Sequence, residues 1–272
     1  ATPELRASLR AQYHLDEPVH RQYLLWLWDV LHLDLGERVV SDRSVSAAVA
    51  GRLPQTLLLG GTAFLVALAV GVPTGVLAAV RRGSLVDETS RVAALIGIAT
   101  PNFWLGLLLL LVFGVHLGLV PGIPPVGPLL APESLAFLVL PALTLGTASA
   151  ALFARLTRSA VSDQLREEYV RAARAKGLDE RTVIGKHVLR NSLLSVVTVA
   201  AVQVAALLDG AVVVERVFSW PGLGRLLVRA ILQRDFPVVQ AVVLLVATGV
   251  VVANLLADVL YAWLDPRIGY ER

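Results

Sequence analysis

EYVRAARAKGLDERTVIGKHVLRN, running from Glu168 to Asn191, is a charged, helix-favouring island between two apolar segments that are each long enough to cross a bilayer. From Arg155 to Asn191 nine Lys/Arg stand against five Asp/Glu, so the island is net basic. Ala172 and Ala173 give a predicted helix a flat face of small residues, and Gly177 falls where a helix ends on a left-handed residue. A second short helix is predicted from Asp179 to about Arg190. Two readings fit this pattern. A helix–Gly–helix unit projecting from a membrane bundle is a docking knob; a net-basic segment between spans is also what the positive-inside rule places in any cytosolic loop.

The rest of the composition fits a membrane setting. The chain has 272 residues, 56% of them hydrophobic, and a mean hydropathy of +0.70, too apolar for a soluble domain of this size. Its net charge of +3 is small and unevenly placed. That pattern points to cytosolic loops and excludes a nucleic-acid binder, which would concentrate basic residues and interleave them with stacking aromatics. Cysteine is absent, so disulfide and thiol chemistry are excluded.

Five apolar segments, at about 56–80, 92–118, 135–157, 192–214 and 237–263, reach the length of a span. Each is read as helix, because an open strand edge cannot be satisfied in lipid. The predicted fold class is therefore an all-α polytopic bundle. Pro73, Pro101 and Pro141 lie inside three of the segments and predict bends, either around a path or as fixed packing kinks. The stretch 81–91 carries three Arg, 121–132 carries none and 155–191, which contains the island, carries nine basic residues; these alternate as inside, outside, inside. The stretch Glu215–Phe236, with four Arg, runs against the rule but falls outside by parity. The tail with Arg267 and Arg272 then lies in the cytosol and the N-terminal region outside. Residues 1–53 form that external region and 54–272 the transmembrane domain, with its cytosolic loop at 158–191. Within the external region Tyr23, Trp26, Leu27 and Leu31 make an apolar stripe at helical spacing. The stripe suits a helix lying on the membrane surface, or the core of a small extramembrane subdomain.

No GxxxxGK[ST] phosphate loop, HExxH or GxSxG occurs, so ATP binding, metalloprotease and hydrolase readings have no motif here. His14, His20, His32, His116 and His187 have no metal-ligand spacing. Ionisable groups at membrane depth are costly and draw attention to Asp209, seven residues before Arg216 and so on one helix face with it. Asp209 either pairs with Arg216 near the interface or lines a path and meets a cationic end of the substrate. Asn254 and Asp258, at i and i+4 on the last segment, suit helix–helix hydrogen bonding or the same path.

The island resembles the coupling loop (the EAA loop) of bacterial ABC-importer permeases of the dipeptide, oligopeptide and nickel family. The matching run is Glu168-Tyr169-Val170-Arg171-Ala172-Ala173-Arg174-Ala175-Lys176-Gly177, followed by His187-Val188-Leu189-Arg190-Asn191. The broader pattern has Glu where Arg171 stands and Pro where Arg190 stands; both departures are usual in the peptide branch. Other runs carry the resemblance along most of the chain: Leu140-Pro141-Ala142-Leu143-Thr144-Leu145-Gly146, Gly210-Ala211-Val212-Val213-Val214-Glu215, then Trp220-Pro221-Gly222-Leu223-Gly224, and Asp265-Pro266-Arg267-Ile268 at the end.

The resemblance implies the first, B-type permease subunit of a pair, in the bacterial cytoplasmic membrane. It also implies a sixth span upstream of Ala1, a second homologous permease, two cytosolic ATPase subunits that bind ATP and Mg, and an external substrate-binding protein. No cofactor and no enzymatic site belong to this chain on that reading. Its implied coupling residues are Glu168, Tyr169, Arg171, Ala172, Ala173, Lys176, Gly177, His187, Arg190 and Asn191, and its candidate path residues Asp209, Asn254 and Asp258. The expected function is ATP-driven import of peptides or similar small solutes by alternating access. A secondary transporter or channel without ATPase partners is the alternative, which the lack of an inverted repeat disfavours.

Overall fold

The computed structural model describes residues 14–39, 41–121, 123–125 and 127–264, together with Pro3 and Arg10. The expected cytosolic tail with Arg267 and Arg272, and most of the first thirteen residues, lie outside the described residues. Among the described residues four helical stretches are long and apolar enough to cross a membrane, and a bent pair makes a fifth if its two helices count as one span.

The centre of the bundle is a parallel pair, α3 (Leu53–Val80) and α6 (Pro132–Gln164). Both begin on a proline in the first turn, where the missing N–H costs nothing. Leu59, Ala63, Ala67, Gly71, Gly75 and Ala79, every fourth residue of α3, are buried, a small-residue stripe that lets two backbones approach. At Gly71 an added Cβ would lie 2.5 Å from the Ala150 carbonyl oxygen, and at Gly146 one would lie 2.7 Å from that of Ala63. Pro73 and Pro141 sit inside these helices without breaking them.

Pro101 does break its segment. The stretch expected as one span at 92–118 is two helices, α4 (Leu85–Ala99) and α5 (Asn102–Leu109), the latter continuing as a π-helical stretch Leu110–His116. Their axes turn by 104°. A proline bars the residue before it from the helical region; Thr100 (ψ 120°) and Pro101 (ψ 133°) are both extended, so two successive residues leave the helix. Gly97 packs on Thr147 and Ala151 and Gly106 on Thr144 and Phe218, so the break lies beside the middle of α6.

After α6 come two short island helices, α7 (Glu168–Ala175) and α8 (Glu180–Thr182). A π-helical stretch Val183–Val188 leads into α9 (Leu189–Val217). Then α10 (Leu223–Gln233) and α11 (Phe236–Leu264) complete the described chain. The stretch 215–236, read from sequence as a loop, therefore contains a helix. Leu223 and Ala230 of α10 are buried with Val238 and Val242 of α11 and with Val45 and Val49 of the small helix α2 (Val45–Ala50).

The external region holds α1 (Val19–Leu31), none of whose side chains is buried, and a two-stranded antiparallel ribbon, β1 (Glu37–Arg38) with β2 (Ser41–Ser44). That ribbon is the one departure from all-α among the described residues. It is anchored to the bundle by buried Asp235, which accepts from Arg38 Nε at 3.1 Å and from the Val39 N–H at 3.1 Å.

Candidate functional site

The island is a knob built from inside out. Val170 and Ala173, three apart on α7, are buried with Val183 and Val188 of the second arm and with Ala79 and Val161 at the ends of α3 and α6. Tyr169 bonds through its hydroxyl to Gln164 Oε1 at 2.7 Å and to the His187 carbonyl at 3.4 Å, tying both arms to the end of α6. Arg174 grips Glu180 through Nε at 3.1 Å and Nη2 at 2.6 Å. Glu180 raises the Arg174 guanidinium above its ordinary value, chiefly through this hydrogen bond. Asp179 caps α8 by accepting from the Thr182 N–H at 3.3 Å. Hydrogen bonds from Thr182, side chain and backbone, hold the Asp179 carboxyl below its ordinary value.

Gly177 has the left-handed backbone expected of it, φ +80°. The Gly177 N–H bonds to the Arg174 carbonyl at 2.9 Å and the Leu178 N–H to that of Ala173 at 3.4 Å. This is the six-to-one and five-to-two pair of a Schellman ending. A Cβ at Gly177 would touch nothing within 4 Å, so the requirement for glycine is conformational, not steric.

The two alanines expected to form one flat face fall on either side of the boundary between the buried and the exposed face. Ala173 is 7% exposed and packs into the knob, whereas Ala172 is exposed, as are Glu168, Arg171, Ala175, Lys176 and Gly177. Helical spacing explains this: Ala173 shares the inward face with Val170, three residues away. The outward face is therefore Glu168, Arg171, Ala172 and Ala175 with Lys176. His187 is half-buried in the second arm, and Arg190 and Asn191 are exposed at its junction with α9.

Asp209, Asn254 and Asp258 are all exposed on this chain. Among the described residues Asp209 forms no ion pair with Arg216, which is itself exposed. Its neighbour Gly210 packs on Leu145, and a Cβ there would lie 3.6 Å from Asn102 Nδ2, at the start of α5. Asp209 thus sits near the level of the α4–α5 break.

Two buried polar clusters went unassigned in the sequence. Near the cytosolic turn, Asp87 takes Arg158 Nη2 at 2.8 Å and the Gly83 N–H at 3.0 Å, joining α4 to α6. At the other end, Glu215, fully buried, accepts from Thr56 Oγ1 at 2.6 Å and from the Arg225 N–H at 3.1 Å; Thr56 Oγ1 accepts in turn from the Leu223 N–H at 2.8 Å. Glu215 therefore caps α10 from another helix, placing a carboxylate at a positive helix end. A Cβ at Gly222 would collide with that carboxylate, which is why glycine precedes α10. The available signal was an acidic residue closing an apolar run; its partner, 159 residues away, was not legible.

Residues 71–270 match the family described as the binding-protein-dependent transport system inner membrane component. The chain belongs to that family. It is accordingly an inner-membrane permease component, and a binding-protein-dependent system implies a substrate-binding protein and ATPase partners. The chain is 43% identical over its whole length to the dipeptide transport system permease protein DppB of Escherichia coli (strain K12), covering 87% of that protein. It is 43% identical to the oligopeptide transport system permease protein AppB of Bacillus subtilis (strain 168), with 97% of this chain and 85% of that protein covered. It is 44% identical to the glutathione transport system permease protein GsiC of Salmonella typhi, with 100% and 86% covered. In fold it resembles a chain of the inward-facing MetNI methionine ABC transporter, with a TM-score of 0.66 at 19% identity, covering 80% of this chain and 96% of that one. Membership in this family leaves nothing in favour of a transporter or channel working without ATPases.

Proposed function

We propose that this permease carries peptides, that its island is the seat of an ATPase subunit, and that a second homologous permease completes the path. Three relatives named for dipeptide, oligopeptide and glutathione transport support a peptide-like substrate. ATP and Mg are held by two ATPase subunits; this chain, with no phosphate loop, supplies path and coupling. It has no catalytic site of its own.

The observation that carries the coupling role is the knob's construction. Its interior is locked by Val170, Ala173, Val183 and Val188, while Arg171, Ala172 and Lys176 stand outward at the cytosolic end with small Ala172 between charged neighbours. A body locked in this way moves as a unit, so a displacement imposed on its outer face reaches the ends of α3 and α6 directly.

The second permease is supported by the exposure of Asp209. It lies eight residues before the end of α9, about 12 Å along the helix. A carboxylate at that depth cannot be left facing hydrocarbon. Protein or a water-filled path must cover it, and Asn254 and Asp258, also exposed, belong to the same requirement. On the path, Asp209 meets the ammonium end of a peptide. The test is uptake by the reconstituted importer of a peptide with a free amino group against its amino-blocked form. Asp209→Asn is expected to lower uptake of the free form selectively, with ATPase assembly unchanged; equal uptake of both forms by both proteins would return Asp209 to a structural role.

A further inference from the structure

One cavity of about 230 Å³ lies between α3, α4 and α6 towards the cytosolic end of the bundle. It is far above the roughly 10–15 Å³ that admits one water molecule. Its walls have two characters. Ser90, Arg91, Arg155 and Arg158 gather polar and cationic groups, while Ala78, Ala94, Leu95 and Ile98 are apolar. Leu95 and Ile98 are 63% and 42% exposed, and with Val92 and Ile96, also exposed, they continue the apolar wall onto the outer surface of α4.

The charges do not cancel. Arg158 spends Nε and Nη2 on Asp87, and the Asp87 carboxylate is further occupied by the Gly83 N–H. Arg91 and Arg155 are exposed and have no carboxylate within ion-pair distance among the described residues. Two other acids are close in sequence, Glu88 a turn before Arg91 and Asp163 five residues after Arg158, and neither makes such a pair. Three guanidinium groups around one neutralised carboxylate leave the pocket with a surplus of two positive charges.

We infer that this cavity is a binding site for the headgroup of an anionic phospholipid of the inner leaflet, held at its phosphate by Arg91 and Arg155, with an acyl chain lying along Leu95 and Ile98. Guanidinium is the side chain whose forked donors match a phosphate. Basic pockets between spans on the cytosolic side are where such headgroups bind. A free inorganic phosphate would satisfy the arginines but leaves the exposed apolar wall without an occupant. A lipid satisfies both halves of the pocket at once. Because the pocket is lined by α3 and α6 as well as α4, the bound headgroup would brace the two helices whose ends the knob rests on.

The experiment uses the whole importer purified from membranes containing phosphatidylcholine and phosphatidylglycerol. Retained lipid is counted by native mass spectrometry for the parent protein, Arg91→Gln, Arg155→Gln and the double variant, with Arg82→Gln as a basic control outside the pocket. Asp87 and Arg158 are left intact so that the α4–α6 pair is preserved. Each pocket substitution should weaken retention of phosphatidylglycerol about fivefold, the equivalent of about 1 kcal/mol per basic group at an anionic leaflet, and the double variant should lose it. A photoreactive residue at Leu95 should cross-link to lipid. Inorganic phosphate should not displace phosphatidylglycerol. Equal retention by parent and double variant, displacement by phosphate alone, or cross-linking of position 95 to a protein chain would each overturn the assignment.

Discussion

Removing the Glu215 carboxylate tests how the outer end of the bundle is held. In Glu215→Ala, Thr56 Oγ1–H and the Arg225 N–H lose their acceptor, the first at a buried site and the second at a part-buried one. An orphaned buried donor costs about 1–3 kcal/mol, so the Thr56 hydroxyl alone sets that scale and the part-buried Arg225 N–H brings the pair to at most roughly 2–6 kcal/mol against the local stability of α10. Glu215→Gln keeps the shape and one acceptor oxygen but sets an amide donor against one of the two donors, so a single mismatch of about 1–3 kcal/mol is expected. Hydrogen exchange reads this directly at the Leu223 and Arg225 amides. A loss of about 2 kcal/mol accelerates exchange roughly 30-fold, if α10 opens locally. The order should be parent slowest, Gln intermediate and Ala fastest, with the amides of α3 and α6 near Gly71 and Gly146 unchanged. If Glu215→Ala leaves the Leu223 and Arg225 amides as protected as in the parent, the carboxylate does not hold α10.

Other expectations follow from the same contacts. Gly177→Val should cost about 1–2 kcal/mol through the left-handed backbone alone, measurable as faster exchange at Leu178 with the transmembrane helices unaffected. Gly75→Leu should prevent α3 and α6 from packing, because a Cβ would stand 2.5 Å from the Ala154 carbonyl oxygen; loss of the folded protein in detergent is the readout, and a normal yield would contradict the close approach. Asp179 has its carboxyl held below the ordinary value when folded. Its capping contribution is therefore present above the ordinary aspartate range and disappears as pH falls through the lowered folded value. Thr182 amide exchange, corrected for its intrinsic pH dependence, should show protection lost on acidification, and Asp179→Asn should flatten that profile.

How far these features were legible depends on the range over which each residue acts. The apolar spans and the Gly177 ending are local, governed by run length and by one backbone conformation, and both could be read directly. The orientation of the alanines was also present locally, since Val170 and Ala173 mark the inward face at a spacing of three, but their shared small size does not distinguish Ala173 from Ala172. Pro101 was legible as a bend, but not as a turn of 104°, because that needed Thr100 and Pro101 to be extended together. The helix α10 was hidden by its arginines: a stretch with four Arg looks like loop when the Leu223, Leu226, Leu227 and Ala230 stripe is not weighed against it. Glu215 and Asp235 act on partners 159 and 197 residues away, a distance over which a single sequence carries no signal.

The central claim, that the outward face of the island seats an ATPase subunit, is tested most directly by cysteine cross-linking, since the chain contains no cysteine of its own. Ala172→Cys and Ala173→Cys differ by one residue, but position 172 is exposed and position 173 is buried within the knob. In the assembled importer, with cysteines introduced in turn on the ATPase surface, Ala172→Cys should form a cross-link that is sensitive to ATP, and Ala173→Cys should form none. Cross-linking of neither position, or of Ala173→Cys in preference to Ala172→Cys, would contradict the assignment of this face as the coupling surface.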